Sequence, residues 1–355
     1  RQANTNNVDV MQETCVTVTV MKFFYQLLLL TGDPTFADAF ERSLYNAYLG
    51  SYNTEQKIGR IQAPASDRPF LPEPLPFDSY SPLTAGIRGV STGGFNILSD
   101  GSTYGCCACI GAAGCGLIDK VAVLSFPEGV AVNLFLSGVV TTVTPEGNPL
   151  TLRMETNYPK EGRVRVILSP EQPEEFALTV RIPAWSRETA LLVNGQPWPV
   201  QQGFCSVRRL WSSGDEVLLE LDMTTRVIRP PVYLDDLIVD RISVDGREYA
   251  VAKYDRQDEG AKYHIALQRG PIMLAQENRL GYSVDEPMSF AVQPDDTIEA
   301  ILPKQDIAPY EHMVEVCVPL TDGRTVHLTD YASAGKTWNT DSKMAAWMLT
   351  KEAQN

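Results

Sequence analysis

Two short motifs carry the clearest chemistry in this sequence. Glu13 and Cys15 stand two positions apart, and Cys106 and Cys107 are adjacent. One carboxylate and three thiols form a ligand set that Zn²⁺ accepts, because this ion binds both thiolate sulfur and carboxylate oxygen. No CxxC pair brackets the motifs, so buried structural thiols remain the alternative on spacing alone.

Convergence of these side chains on one ion requires special backbone at both motifs. A regular helix would point Glu13 and Cys15 about 200° apart. They can therefore meet at a metal only if the helix begins or is distorted there. Adjacent Cys106 and Cys107 likewise need a bent loop, which the glycines around them permit.

The other cysteines add to the same picture. The chain has seven, an odd number that excludes a disulfide framework using all of them, and five fall in its first third. This clustering favours reduced thiols at a metal or catalytic site over a secreted disulfide scaffold. Cys109 is read as a packing residue or a competing ligand. Cys115, Cys205 and Cys317 are read as structural.

Composition and charge exclude several classes of protein. Among 355 residues, 44% are apolar and 21% are charged, which is ordinary for a globular protein and excludes global disorder. The net charge of −14 disfavours a nucleic-acid partner. The longest apolar run, Phe23 to Leu30, is too short for a membrane span. The start at Arg1 suggests a fragment or processed piece, so the compartment, cytoplasmic or periplasmic, stays open.

The elements that must position the motifs begin with two helices over residues 8–50. Apolar residues recur near helical spacing from Val8 and Met11 through Val18. Gly32 can end the first helix, Asp33 can cap the second, and Pro34 suits its first position. The pattern predicts an αα-hairpin. Residues 51–104 are rich in proline and glycine and are read as an irregular, site-forming segment that leads to Cys106.

From about residue 121 the apolar period changes to two, which predicts strands. Asn194-Gly195 and Asp245-Gly246 lie between apolar runs and predict hairpin turns. The sequence thus divides into a helical part over 1–121, a β-sandwich over 122–231 and a second β-rich or sandwich domain over 232–355. The predicted fold class is multi-domain α + β.

Several ordered motifs resemble glycoside hydrolase family 127, the β-L-arabinofuranosidase family. In the helical part they are Glu13-Thr-Cys15 at a helix start, Leu29-Leu-Thr-Gly-Asp33, Glu41-Arg-Ser-Leu-Tyr-Asn46 and Cys106-Cys107. In the β part they are Phe176 to Trp185, Val193-Asn-Gly195, Trp211-Ser-Ser-Gly-Asp215 and Ala266 to Pro271. The resemblance implies the terminal helices of an (α/α)₆ barrel, followed by antiparallel β-sandwich domains. The first part of the barrel would then lie before Arg1.

The resemblance also implies a mechanism. Zn²⁺ would be held by Glu13, Cys15, Cys106 and Cys107, and Cys106 would be the nucleophile of a retaining hydrolysis. A free thiol has a pKa of about 8.5, and metal binding removes its proton. Two further positions match substrate-binding residues of the family: Glu41, whose alternative reading is an exposed helix carboxylate paired with a base, and Tyr80, whose alternative is loop packing.

Other parts of the family's site are not matched. The general acid/base would be a Glu about sixteen residues before Glu13, and Arg1 to Val8 contains no Glu. The three histidines, His264, His312 and His327, lie in the β region and are read as surface or sandwich residues. Cys109 follows the cysteine pair where many relatives continue with Pro and Asn, which leaves the sugar preference open.

The expected partner is a carbohydrate, such as a plant-type arabinose-containing glycan, and the oligomeric state stays open. The alternative function is a non-catalytic carbohydrate-binding protein with a structural zinc site. Trp185, Trp198 and Trp211 would then be stacking platforms, against a simpler role in core or hairpin packing.

Overall fold

The computed structural model describes residues 11–12, 14–51, 81–82, 95–97, 103–229, 238–244, 246–253, 261–336 and 340–353. The fold is α + β, with helices concentrated before residue 123 and strands after it. Glu13 and Tyr80 lie outside the described residues.

The predicted helical hairpin is present. Helix α1 spans Thr14–Thr31 and helix α2 spans Pro34–Ser43. The chain then continues through a π-helical turn, Leu44–Tyr48. Gly32 ends α1 with φ +67°, and its N–H donates to Leu28 O at 2.8 Å. Asp33 caps α2 by accepting a hydrogen bond from Thr35 N at 2.9 Å. Local turn chemistry therefore builds the hairpin as the sequence predicts.

The first helix starts later than the periodicity from Val8 suggests. Met11–Gln12 forms strand β1, which pairs antiparallel with β2, Ser81–Pro82. The extension of the helix through Met11 is thus wrong, and Val8 lies outside the described residues. The Thr- and Val-rich stretch that follows lies in helix α1, so pairing with a distant segment, and not composition, accounts for the strand at Met11–Gln12.

Helix α1 keeps one apolar face exposed. Its eighteen residues have a mean hydropathy of 1.5, so length and composition alone would allow it to cross a membrane, as they would many core helices of soluble proteins. Val18, Met21 and Leu28 are buried. The exposed apolar side chains of α1 are Val16, Val20, Phe23, Leu29 and Leu30.

Helix α3 spans Cys106–Ala122 and follows two short strands, β3 at Phe95–Ile97 and β4 at Thr103–Gly105, which pair antiparallel. It packs against α1. Tyr48 of the π-helical turn holds α3 from another side, because its hydroxyl donates to Gly111 O at 2.8 Å and lies 3.0 Å from Cys115 Sγ. A Cβ atom at Gly114 would lie 2.5 Å from the Tyr48 ring, so this contact requires glycine.

The strands after α3 follow in chain order. They are β5 (Val123–Phe126), β6 (Gly129–Val132), β7 (Gly138–Val143), β8 (Pro149–Thr156), β9 (Arg163–Pro170), β10 (Glu174–Ile182), β11 (Ala190–Val193), β12 (Gln196–Trp198), β13 (Gly203–Trp211), β14 (Glu216–Glu220), β15 (Thr225–Ile228), β16 (Ile238–Val244), β17 (Arg247–Lys253), β18 (His264–Arg269), β19 (Ile272–Glu277), β20 (Glu315–Pro319), β21 (Thr325–Asp330), β22 (Met344–Ala345) and β23 (Met348–Leu349).

The first β unit is a two-layer sandwich. One sheet has the order β13-β10-β6-β5 and the other β12-β11-β14-β9-β8-β7. Alternate residues of β9, including Val164, Val166 and Leu168, are buried, and they share one core with Leu178 and Val207 of the first sheet. The predicted Asn194-Gly195 turn joins β11 to β12, with φ +48° and +75°.

One pairing departs from the antiparallel expectation. Strands β6 and β10 run parallel, with Val130 opposite Leu178. Parallel neighbours require a long crossover connection. Here the chain supplies it by forming β7, β8 and β9 in the opposite sheet before it returns.

The second β unit is a sheet of order β15-β18-β19-β21-β20, extended by β22 on β19 and β23 on β18. Strands β16 and β17 form a separate hairpin around Gly246, as the sequence predicts, with Asp245 outside the described residues. The sheet that contains β18 and β19 also contacts the π-helical turn directly. Asn46 donates to Pro271 O at 2.9 Å and accepts from Met273 N at 2.8 Å.

Candidate active site

The two halves of the metal motif each lie at the start of a helix. Helix α1 begins at Thr14, immediately after Glu13, so the helix start falls between Glu13 and Cys15 as convergence requires. Cys15 is the second residue of α1 and is partly exposed. Its position in the first turn is one where the helix dipole favours an anionic sulfur.

The cysteine pair opens α3 in the same way. Cys106 is the first residue of that helix and Cys107, the second, is buried with 1% exposure. The bent loop expected at the pair is therefore wrong, because β4 ends at Gly105 and both cysteines lie in the first turn of α3. Cys109 lies on the same helix but is exposed, so it has no packing role among the described residues.

Helices α1 and α3, which carry the two motifs, pack against each other. The hairpin loop of α1 and α2 is two residues long, and the π-helical turn that follows α2 contacts α1. In that turn Tyr48 contacts Gly111, five residues after Cys106, or about 7.5 Å along α3. Tyr48 therefore joins the turn to the early part of α3, and the convergence of Cys15 with Cys106 and Cys107 stays a prediction.

A polar cleft of about 210 Å³ lies where α2 meets both β units. One wall comes from α2, a second from the chain after β10, and a third from the β18–β19 hairpin. Its lining residues are Asp38, Glu41, Arg42, Ala184, Trp185, Gln268 and Pro271.

Glu41 is buried, with 1% exposure, and its carboxylate is the group on which the hydrogen bonds of this region converge. Its Oε1 accepts from Arg181 Nη2 at 2.6 Å and from the Tyr158 hydroxyl at 2.7 Å. Its Oε2 lies 3.5 Å from Trp185 Nε1, the long limit for a hydrogen bond. The alternative reading of Glu41 as an exposed carboxylate is therefore wrong, although its pairing with a base is correct.

Arg181, on β10, is fully buried and holds the helices to the sandwich. Its other nitrogens donate to Asp38 Oδ1 at 2.5 Å and to Asn133 O at 2.7 Å. Burial alone would lower the pKa of this guanidinium, but the carboxylates of Glu41 and Asp38 raise it above its usual value.

Tyr158 remains a hydrogen-bond donor in this network. Burial raises the pKa of its phenol well above the usual range, and the adjacent carboxylate of Glu41 raises it further. The ring stacks on Trp185 with a centroid separation of 6.4 Å. Sequence reasoning missed Tyr158 and Arg181, because neither has a local signal that distinguishes it from other strand residues.

The remaining tryptophans named as stacking platforms lie in the sandwich. Trp211 is fully buried, and its indole N–H donates to Phe176 O at 3.0 Å, so it is a core residue. Trp198 is partly buried at the hairpin strand β12.

The histidines all lie in the second β unit, as expected, but two of them form a polar cluster that sequence reasoning missed. His312 Nε2 lies 3.2 Å from Asp306 Oδ2, and His327 Nδ1 lies 2.8 Å from Glu315 Oε1. His264 lies elsewhere, on β18. Two features point to this cluster. His312 and Glu315 are three residues apart in the sequence, and the pairing of β20 with β21 brings His327 next to Glu315.

The chain is similar to known proteins in both sequence and fold. Family models of the β-L-arabinofuranosidase GH127 catalytic domain and GH127 middle domain match residues 1–70 and 129–223. The chain is similar to the non-reducing end β-L-arabinofuranosidase of Bifidobacterium longum subsp. longum, with 28% identity over 227 residues, 61% of this chain and 32% of that protein.

Two solved structures share the fold. One is described as a glycoside hydrolase, with a TM-score of 0.63, 22% identity and coverage of 98% of this chain and 53% of the other. The second is a GH127 β-L-arabinofuranosidase from Geobacillus stearothermophilus T6, with a TM-score of 0.57, 20% identity and coverage of 97% and 51%. The chain therefore spans about half the length of these structures and about a third of the curated relative.

Proposed function

We propose that the chain belongs to glycoside hydrolase family 127 and forms part of a retaining glycosidase that acts on β-L-arabinofuranosides or a related plant-glycan sugar. The relatives described as β-L-arabinofuranosidases support the reaction class. The match of a catalytic-domain model to residues 1–70, the part that contains Glu13, Cys15 and Glu41, carries the proposal. Because the chain spans about half of the matched structures, the activity is proposed for the full-length protein.

Glu13, Cys15, Cys106 and Cys107 are proposed to hold Zn²⁺. Three thiolates and one carboxylate suit this ion. Both motifs stand at helix starts, where the dipole favours thiolate over thiol, and Cys107 is buried as a structural ligand would be. The residues therefore fit the ion. When bound, it would keep the sulfurs deprotonated and fixed in position.

Cys106 is the proposed nucleophile. Its thiolate attacks the anomeric carbon, the carbon–sulfur bond forms, and the bond to the leaving-group oxygen breaks as that oxygen takes a proton from a general acid. Water then attacks the same carbon, the sulfur leaves as thiolate, and the acid regains its proton from the water. Two displacements at one carbon give net retention.

The general acid/base is assigned to a Glu outside these 355 residues, in line with the family resemblance. Such a group contributes about 10²–10⁴-fold to the rate. We therefore expect the 355-residue chain by itself to show no enzymatic turnover. Turnover by the purified chain that Cys106→Ser abolishes would refute this expectation.

The exposed apolar face of α1 supports the proposed (α/α)₆ barrel. Phe23 is 57% exposed and Leu30 is 79% exposed, on a helix whose opposite face packs on α2 and α3. Burial of such side chains yields about 1.5–3 kcal/mol each. We propose that further helices of the full-length protein cover this face and complete the barrel.

Glu41 is proposed to contact the substrate from the cleft. Arg181 and Tyr158 saturate its Oε1, whereas Oε2 has one long contact to Trp185, which also lines the cleft. Oε2 can therefore accept a hydrogen bond from a sugar hydroxyl. Tyr80 is the second proposed substrate-binding residue, on the resemblance alone.

The test uses the full-length protein with an aryl β-L-arabinofuranoside and with a sugar-derived inactivator that reacts with cysteine. Cys106→Ser should lower kcat by orders of magnitude and abolish covalent labelling. Cys107→Ser should act through loss of zinc, and excess zinc should partly restore activity. Cys109→Ser is the matched control, because Cys109 is exposed on the same helix.

Peptide mass spectrometry and metal analysis of the same preparations identify the roles. A label on Cys107 or Cys109 with Cys106 unmodified would overturn the choice of nucleophile. A label on a carboxylate would overturn the thiol mechanism, and a metal-free active enzyme would overturn the zinc site.

A further inference from the structure

The geometry points to a second metal site, formed by Asp306, His312 and Glu315 beside strand β20, that takes a divalent transition-metal ion such as Zn²⁺ through nitrogen and oxygen donors. The three potential ligand atoms lie within 4.8 Å of one another. The site is in the second β unit and shares no residue with the thiol motifs.

The orientation of His312 is that of a metal ligand. Its Nδ1 lies 3.0 Å from the backbone carbonyl of Tyr310, so Nδ1 carries the hydrogen and donates it. This second-sphere bond leaves Nε2 as the ring nitrogen that faces the two carboxylates and can ligate an ion. Metal-bound histidines almost always donate their other ring N–H to a carbonyl or carboxylate in this way.

The surroundings of Nε2 favour a positive charge. Within the described residues, Asp306 Oδ2 lies 3.2 Å and Glu315 Oε2 lies 3.9 Å from Nε2, and both are carboxylate oxygens. The His312 side chain is nine-tenths buried. A divalent ion between the three donors would supply that charge, and a proton on Nε2 is the alternative that the metal-binding test distinguishes.

Glu315 is pre-organised to serve as a ligand. Its side chain is fully buried. It accepts from Ile307 N at 3.0 Å and Ala308 N at 3.0 Å, and His327 Nδ1 lies 2.8 Å from its other oxygen. Oε2 accepts from both backbone N–H groups, so an ion at Oε2 would replace one of them, most readily Ile307 N–H, which is already shared with Oε1 at 3.2 Å.

The spacing of the donors selects the class of metal. Bonds of about 2.0–2.2 Å from zinc to nitrogen and oxygen place tetrahedral ligand atoms about 3.3–3.6 Å apart. The observed separations of 3.2 and 3.9 Å bracket this range. Imidazole favours zinc and its neighbours over magnesium or calcium. Asp306 is 45% exposed, so a water molecule can reach a fourth position.

The ion would crosslink an irregular segment to the sheet. Asp306 and His312 belong to the stretch between Leu280 and Glu315, which within the described residues has only isolated bridges, whereas Glu315 begins strand β20. Metal binding to such a site contributes directly to folding stability, because the site does not exist in the unfolded chain.

The test measures Zn²⁺ binding to the purified 355-residue chain by equilibrium dialysis. Wild type should bind one equivalent more than Asp306→Asn and one more than His312→Gln. Asp285→Asn and His264→Gln are the matched controls, since these residues lie away from the cluster, and both should bind as wild type does. Because the thiol motifs can bind zinc too, the readout is the difference between variants.

Cobalt substitution identifies the ligands of the difference site. The Co²⁺ equivalent that Asp306→Asn loses should show no thiolate-to-cobalt charge-transfer absorption. Equal stoichiometry in wild type and Asp306→Asn would overturn the proposal and leave a simple His312–Asp306 ion pair. Loss of the thiolate band in Asp306→Asn would also overturn it. Asp306 is half-exposed, so this variant should fold, which circular dichroism checks.

Discussion

Replacement of Arg181 by methionine should be among the most damaging single changes in the chain. Methionine keeps the unbranched apolar stem of the side chain but lacks the guanidinium, which removes three hydrogen bonds, to Glu41, Asp38 and Asn133 O. Arg181 and Glu41 are 0% and 1% exposed, so water cannot replace the lost donors at Glu41. Removal of one partner from a buried ion pair costs about 3–5 kcal/mol.

Two features of the structure set where in that range the value should fall. Tyr158 continues to donate to Glu41, which lowers the cost. Asp38 is 14% exposed and retains the bond from Ala184 N at 3.0 Å, so it stays partly satisfied. We therefore expect about 3–4 kcal/mol, since the unpaired carboxylate of Glu41 is the main penalty.

Urea unfolding followed by tryptophan fluorescence measures the loss. Arg208→Met is the matched control, because Arg208 pairs with Glu175 on neighbouring strands with side chains 58% and 64% exposed. Such a surface pair contributes about 0–1 kcal/mol. In Arg181→Met with Glu41→Leu the unpaired charge is gone, so the double variant should be more stable than Arg181→Met alone. Equal losses in Arg181→Met and Arg208→Met would refute this account of the buried pair.

Three further predictions test other parts of the structure. Gly114→Ala should lower stability by about 1–3 kcal/mol because its Cβ would lie 2.5 Å from the Tyr48 ring, whereas Gly116→Ala on the same helix, with nothing within 4 Å, should raise it by up to about 1 kcal/mol. Thermal unfolding of the two variants checks the opposite signs, and a stabilised Gly114→Ala would contradict the packing of α3 on Tyr48. Burial of Glu174 opposes its ionisation, but hydrogen bonds from Thr144, Asn148 and Glu146 N outweigh this and hold its pKa below the ordinary 4.5. Because the pKa of Glu174 is lower in the folded state, its ionised form stabilises the fold above pH 4.5, and this stabilisation is lost as the pH falls through the lowered pKa. Glu174→Gln should therefore lower the free energy of unfolding by about 1–2 kcal/mol at pH 7 and by progressively less in acid. Urea unfolding across this pH range measures the difference, and a constant difference would count against the assignment. Asn46→Asp should cost about 3 kcal/mol, because its carboxylate would face the carbonyls of Arg42 and Pro271 that Asn46 Nδ2 now bonds. Asn157→Asp, at an exposed position, is the control, and equal melting temperatures for the two would show that the contact between the π-helical turn and the second β unit is dispensable.

Local chemistry explains what could be predicted from the sequence. The hairpin of α1 and α2 depends on Gly32, Asp33 and Pro34, whose backbone preferences act within a few residues. The turn at Asn194-Gly195 depends on two adjacent residues that tolerate positive φ. The resemblance to glycoside hydrolase family 127, which matching family models over residues 1–70 and 129–223 support, likewise rests on short motifs in order along the chain. In each case the deciding interactions span less than one turn or one strand.

The error at the start of α1 shows the limit of such reasoning. Met11 and Gln12 fit a helical pattern and lie in a strand because Ser81 and Pro82 pair with them. The parallel neighbours β6 and β10 are a second case, since strand periodicity carries no information on direction. Glu13 and Tyr80 lie outside the described residues, so their roles stay predictions.

The sequence by itself therefore determined the helical hairpin, the strand-rich character, the resemblance to glycoside hydrolase family 127 and the candidate thiol ligands. Only the tertiary structure decided which charges are buried and what they face. Glu41 meets Arg181 across 140 residues, and Asn46 meets Pro271 across 225. Even the near neighbours His312 and Glu315 converge only because an irregular segment folds onto β20. Turn and cap preferences are set by local dihedral angles. These pairings depend instead on how distant elements pack and exclude water, and the periodicity of the sequence does not predict that packing.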